Sequence, residues 1–177
     1  TFDIDVMYFN NNRWSDTNMV VSLLSADQWL NESACIVSYS DIVYSSDAVR
    51  RLMAASGDIV ITYDPNWRSL WEMRFTDPLS DAESFKLDED MVVEIGNKTE
   101  SIDDIEGQYM GLCKFTSKGW GYVKGYLSKI SQKSIDKMDM TCLLSGLIKS
   151  GIVINAVPIT DRWFEVDTES DLNKYQQ

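Results

Sequence analysis

Ala34-Cys35-Ile36-Val37-Ser38-Tyr39-Ser40-Asp41 is the stretch that decides the fold. Ala34 to Tyr39 is a short apolar run rich in β-formers, which fits a buried strand ending at Ser40-Asp41. C-terminal to it, a helix is expected from about Ser46 to Ala55, closing at Gly57, a natural residue for the turn after a helix. Asp58 to Tyr63 then reads as a second buried strand. N-terminal to it, Asp16 or Thr17 can cap a helix reaching about Leu30, with Met19, Leu23, Leu24 and Ala26 recurring apolar. Before that helix, Asn10-Asn11-Asn12 is a turn, and Phe2 to Phe9 alternates like a strand. The order β-α-β-α-β is that of a layered α/β sheet with helices on its faces.

The middle of the chain reads differently. Phe75 to Glu83 is loop-like, and Phe85-Lys86-Leu87 with Met91 to Gly96 forms the strands of a hairpin. Tyr109 to Phe115 is another strand, Trp120 to Ile130 and Thr141 to Ile148 are helices, and Gly151 stops the second. Ile152 to Pro158 is a strand and Asp171 to Tyr175 a terminal helical turn. There is no repeat, no low-complexity segment, and Pro is too sparse to mark a linker, so 1–177 reads as one domain.

With 177 residues, 44% apolar and 25% charged, the composition is that of an ordinary globular domain. Lys plus Arg number 16 against 28 Asp plus Glu, a formal charge of −12. Such a chain repels nucleic acid and anionic membranes unless its basic residues cluster. His is absent, which removes imidazole bases, Ser-His-Asp and Cys-His catalysis and His-ligated metals. Cys35, Cys113 and Cys142 are far apart and set among apolar residues, and they read as buried reduced thiols of a cytoplasmic protein. No apolar run is long enough for membrane insertion. The start at Thr1, already inside an alternating run, suggests a piece of a longer chain.

Chemistry therefore rests on carboxylates. In open α/β sheets, ligands collect outside the carboxyl ends of the strands. Asp41 stands directly after the most apolar strand. In Trp163-Phe164-Glu165-Val166-Asp167-Thr168, alternation puts Trp163, Glu165 and Asp167 on one face. Asp41 and Asp167 flanking one phosphate would be an ordinary way to hold Mg²⁺; the plainer reading of such residues is a turn or a cap. Asp139 precedes a helix, where it is either the N-cap or a carboxylate facing a cation at the rim. Trp71 is either packing or an aromatic face for an ammonium group.

Taken in order, Tyr39-Ser40-Asp41-Ile42, Gly57-Asp58-Ile59-Val60-Ile61, Glu106-Gly107-Gln108-Tyr109-Met110-Gly111, Asp139-Met140-Thr141 and Trp163 to Thr168 resemble the sugar-nucleotidyltransferase superfamily. Arg13 to Met19 followed by Ser22-Leu23 adds to the likeness. The nearest branch is the cytidylyltransferases acting on phosphocholine or 2-aminoethylphosphonate. The resemblance implies a three-layer, Rossmann-like sandwich on a mixed, mostly parallel sheet. It implies transfer of CMP from CTP to a phosphate or phosphonate oxygen, with pyrophosphate leaving. Asp41 and Asp167 become the catalytic Mg²⁺ ligands. Glu165, Asp139 and Trp71, with Trp163 a weaker member, become the acceptor's ammonium pocket. The family's opening loop of the Leu-Ala-Ala-Gly-x-Gly type has no counterpart here. The chain is thus expected to be N-terminally truncated by one βα unit and inactive alone, with phosphate-binding bases in the missing part; Arg68, Arg74 and Lys86 are the candidates within it. A truncated sheet edge can also pair with a second copy as a homodimer. Two alternatives stay open: a hexose-1-phosphate nucleotidyltransferase, and a non-catalytic binding domain of the same fold.

Overall fold

The computed structural model describes residues 5–175. Along the chain lie α1 (Met19–Leu24), α2 (Asp27–Glu32), β1 (Cys35–Ser38), β2 (Ile42–Val43), α3 (Ser46–Ala54), β3 (Ile59–Asp64) and α4 (Trp67–Arg74). There follow β4 (Glu83–Asp88), β5 (Met91–Lys98), β6 (Gln108–Phe115), α5 (Ser117–Leu127), α6 (Gln132–Asp136), α7 (Met140–Lys149), β7 (Asn155–Pro158), β8 (Phe164–Glu165) and α8 (Glu169–Tyr175). Six strands form one sheet in the order β1-β6-β3-β7-β5-β4, and β2 pairs with β8 in a separate ribbon.

The three layers are as expected, but the sheet is mixed and mostly antiparallel, not mostly parallel. Among the strands described, β3 and β7 alone pair in parallel; β1 with β6, β3 with β6, β5 with β7 and β4 with β5 are antiparallel. The β-α-β-α-β pattern correctly implies that β1 and β3 run the same way. It does not reveal that β6, arriving much later in the chain, inserts between them.

Alternation along the strands divides the core. Ile59 and Ile61 of β3 and Cys113 and Phe115 of β6 face one side, packed with Trp120, Val123, Leu143 and Leu147 from α5 and α7. Val60, Met110 and Leu112 face the other, against Ala48 and Leu52 of α3 and Trp67, Leu70 and Trp71 of α4. Helix α4 is absent from the sequence reading, although Trp67, Leu70, Trp71 and Arg74 follow helical spacing and all four are buried. The charge at the fourth position disguises the stripe.

Three further expectations are corrected. Of the strand proposed for Phe2 to Phe9, residues 1–4 lie outside the described residues, and Asp5 to Phe9 is not strand; Phe9 instead meets Trp29 edge-on at 5.1 Å. The helix expected up to Leu30 is two short ones, α1 and α2. Of the cysteines, Cys113 is buried, Cys35 partly so, and Cys142 is exposed. No described helix is long and apolar enough to cross a membrane.

A backbone irregularity shapes the end of the sheet where ligands would gather. The register between β3 and β6 shifts between Ile61 and Tyr63, and Gly111, inside the shift, has φ +78°. A Cβ there would lie 2.7 Å from the Tyr39 ring. Gly111 therefore serves both a left-handed backbone and the seating of Tyr39, whose N–H donates to the Gly111 carbonyl at 2.9 Å. Gly111→Ala is expected to cost about 1–3 kcal/mol. Urea denaturation should show this as a lower midpoint with an unchanged slope.

Candidate active site

The site is built where β1 ends. After Ser38 the chain passes through Tyr39 and Ser40 to Asp41 and enters the β2–β8 ribbon, in which Ile42 opposes Glu165. The Val166 N–H donates to the Asp41 carbonyl at 2.9 Å. The ribbon thus brings Asp41 alongside the segment carrying Glu165 and Asp167. Asp41 Oδ1 is buried without a hydrogen-bond partner.

Arg74, from the last turn of α4, organises the facing carboxylates. Its side chain is 1% exposed. Nη1 donates to Glu165 Oε2, Nη2 to Asp167 Oδ2 at 2.6 Å, and Nε lies 3.7 Å from Asp171 Oδ1. Burial works against the Arg74 charge, but Glu165, then Asp167, outweigh it and hold its pKa above the ordinary value. Burial pushes the Glu165 carboxyl up, and Asp167 and Asp41 add to this against the single guanidinium. From α8, Tyr175 donates its hydroxyl to the Glu165 carbonyl at 2.9 Å, and Lys174 donates to the Arg74 carbonyl at 2.7 Å.

Two hollows meet at Tyr39. A groove of about 380 Å³ runs over Val37 to Asp41 and is bounded by Met19, Ser22, Leu23 and Met140. A cavity of about 190 Å³ lies on the other side, walled by Tyr39, Trp71, Asp81, Glu83, Gln108, Tyr109, Thr141 and Glu165. Tyr39 and Tyr109 meet edge to face at 6.0 Å.

The six residues singled out from the sequence separate into three groups. Asp41 borders the groove, and Glu165 and Trp71 border the cavity, where the Trp71 Nε1–H donates to Asp81 Oδ2 at 2.9 Å. Asp167, half-exposed, faces Arg74. Asp139 and Trp163 do not line the cavity. Asp139 caps α7, accepting from the Cys142 N–H at 2.7 Å and from the Thr141 hydroxyl at 3.2 Å. Trp163 is buried behind Trp71, 6.2 Å between ring centres, with its Nε1–H on Asp64 Oδ2 at 2.9 Å. Among the basic candidates, Arg68 and Lys86 pair with Glu72 and Asp104, respectively.

Sequence reasoning missed Asp81, Glu83 and Thr141 as walls, and Arg74 as the partner of Glu165 and Asp167. The available signal was Asp81-Ala82-Glu83, two acids at the end of the stretch read as loop, just before the strand expected from Phe85; β4 in fact begins at Glu83. The Gly119-Trp120-Gly121 run that follows β6 lies inside α5 and makes no phosphate loop.

Among the described residues no three acidic or Cys side chains converge as a metal cluster. Mg²⁺, however, is commonly held by one or two carboxylates together with substrate phosphates. The orphaned Asp41 oxygen and the neighbouring Asp167 suit that mode.

Solved structures share this fold. An inositol-1-phosphate CTP transferase from T. maritima superposes with a TM-score of 0.72 over 94% of this chain, at 15% identity. A Bacillus anthracis protein described as a glucose-1-phosphate thymidylyltransferase gives 0.64 over 86%, at 13% identity. The chain spans 62% and 57% of those two proteins. The fold is thus one found in nucleotidyltransferases. No family profile matches the chain. A CTP:phosphoglutamine cytidylyltransferase of Campylobacter jejuni is 34% identical over 182 aligned residues, covering 97% of this chain and 72% of that protein. At that identity and coverage, the chain belongs to the cytidylyltransferase-type nucleotidyltransferases.

Two expected outcomes follow from the site's local chemistry. Asp139→Ala should cost about 1 kcal/mol through loss of the cap, and Asp139→Ser should restore most of it, because serine also caps well; thermal melts of both variants check this. Burial raises the Glu83 carboxyl above its usual range; the Thr141 hydroxyl opposes this, and Asp139 and Asp81 add to it. A raised carboxyl makes the charged form unfavourable in the folded state at neutral pH, and the penalty is relieved as pH falls through the folded pKa. Glu83→Gln should therefore be more stable than the parent at pH 7, with the difference vanishing below the ordinary glutamate pKa of about 4.3. Denaturation at a series of pH values measures it.

Proposed function

We propose that the protein transfers CMP from CTP to a phosphate or phosphonate oxygen of a small ammonium-bearing acceptor, releasing pyrophosphate. The observation that carries this reading is the placement of Asp41 and the Glu165–Asp167 segment on one ribbon, with a groove on one side of Tyr39 and an acid-lined cavity on the other. The relative at 34% identity, named for CTP and phosphoglutamine, supports the nucleotide and the phosphorylated acceptor alike.

In this reading the groove over Ser38 to Asp41 takes the nucleotide side and the cavity takes the acceptor. Tyr39 stands between them and excludes water from the acceptor's path. Burial holds its phenol neutral, with its pKa raised, so it acts by shape and hydrogen bonding. Arg74 holds Asp167 through Oδ2, on the segment that the ribbon sets alongside Asp41. Mg²⁺ held by Asp41 and Asp167 would neutralise phosphate charge, which a chain of net charge −12 otherwise repels. Positioning and charge neutralisation carry most of the catalysis in transfers of this kind, so the absence of His is no obstacle.

The test is pyrophosphate release from CTP with Mg²⁺ and 2-aminoethylphosphonate, phosphocholine or phosphoglutamine. It is run on the chain alone and on the chain preceded by a glycine-rich βα unit of the family. Turnover is expected from the extended protein and not from the chain alone, which carries no Leu-Ala-Ala-Gly-x-Gly loop. Asp41→Ala and Asp167→Ala should each lower it by at least about a hundredfold. Unimpaired turnover in both variants would remove the metal assignment, and no turnover with any phosphorylated acceptor would remove the proposed reaction.

A further inference from the structure

The cavity holds a negative charge that neither the fold nor the transfer chemistry accounts for. Three carboxylates line it, Asp81, Glu83 and Glu165, and no Lys or Arg does. Two of the three have partners. Asp81 accepts the Trp71 indole N–H, and Glu165 pairs with Arg74. Glu83 faces only the Thr141 hydroxyl. A hydroxyl has one proton to donate, and Asp139 already accepts that of Thr141 at 3.2 Å.

The position of Glu83 is held firmly. Its backbone N–H donates to Gln108 Oε1 at 3.2 Å, and its carbonyl accepts from Gln108 Nε2 at 2.6 Å. Gln108 is buried and donates also to the Gly107 carbonyl at 2.9 Å. One side-chain amide thus clamps the first residue of β4 to the start of β6 and fixes where the carboxylate projects. The aromatic wall of the same cavity is formed by Tyr109 and Tyr39, whose rings meet edge to face at 6.0 Å.

Resting on the reading of this cavity as the acceptor site, we infer that Glu83 is the counter-ion of a primary ammonium group on the acceptor. The acceptor class is then an amino-phosphate or amino-phosphonate. A primary ammonium has three N–H donors, and the carboxylates of Glu83, Asp81 and Glu165 all line this one small space. The Trp71 and Tyr39 rings add π surface for the same charge. A neutral sugar phosphate leaves Glu83 uncompensated. A trimethylammonium group offers no N–H to any of the three acceptors and is bulkier. Glu83 therefore acts as a specificity residue: it reads the acceptor's nitrogen and takes no part in the transfer itself.

The test is calorimetric titration of the chain with 2-aminoethylphosphonate, with ethylphosphonate, which differs by the amine, and with phosphocholine. The parent should bind 2-aminoethylphosphonate at least about tenfold more tightly than either of the others, the scale of one charge-assisted hydrogen bond. Glu83→Gln should bind 2-aminoethylphosphonate and ethylphosphonate alike, with ethylphosphonate affinity unchanged from the parent. Because the same substitution is expected to stabilise the fold, loss of the preference cannot be attributed to unfolding. A preference retained in Glu83→Gln, equal affinities in the parent, or no binding of 2-aminoethylphosphonate to the parent would overturn the inference. An amine preference that depends on Glu83, without pyrophosphate release in the extended protein, would instead overturn the transfer reaction and leave this site standing.

Discussion

The working end of the molecule hangs on one buried guanidinium. Arg74 touches Glu165, Asp167 and Asp171 from a position 1% exposed, so α4, the β8 segment and α8 converge on a single cation. An ion in that setting is stable only in company; stripping partners from a buried pair costs on the order of 3–5 kcal/mol. Lysine could not replace it, because a planar fork with several fixed donors can reach three carboxylates from one point and a single ammonium cannot. The Trp71 and Phe75 rings lie 5.7 and 5.0 Å from the guanidinium carbon, which closes its remaining faces to water. The consequence is positional: Glu165, at the cavity wall, and Asp167, two residues on, are held by the same side chain.

What the sequence reveals of this arrangement depends on how local the signal is. The strand after Ala34, the helix ending before Gly57, β3 and the β4–β5 hairpin are written in short apolar runs and turn residues, and the structure follows them closely. Strand order is not local. Nothing in Gln108 to Phe115 says that it will lie between β1 and β3, which is why a mostly antiparallel sheet read as a mostly parallel one. In Trp163 to Asp167 the alternation places Glu165 and Asp167 together correctly, although only Phe164–Glu165 is strand. The face was legible, whereas its partner Arg74, nearly a hundred residues earlier in the chain, was not. Asp139 shows a different limit. The same aspartate suits a helix cap and a binding carboxylate, and only the Cys142 N–H at 2.7 Å shows where its oxygen is committed.

The carboxylates also divide by what already holds them. Asp139 is bound to a helix terminus, Asp81 to an indole and Glu165 to Arg74, so each has a structural reason to be where it is. Arg74 takes Asp167 through Oδ2, so one oxygen of that half-exposed carboxylate is committed to the guanidinium. Among the carboxylates that wall the cavity, Glu83 alone has no committed structural partner, and its placement works against the folded state at neutral pH. Residues that cost stability without repairing anything in the fold are where function is to be sought. By that reasoning, the charge of −12 is not spread idly over a surface: part of it is held in a clamped cavity, where a cationic ligand would complete it.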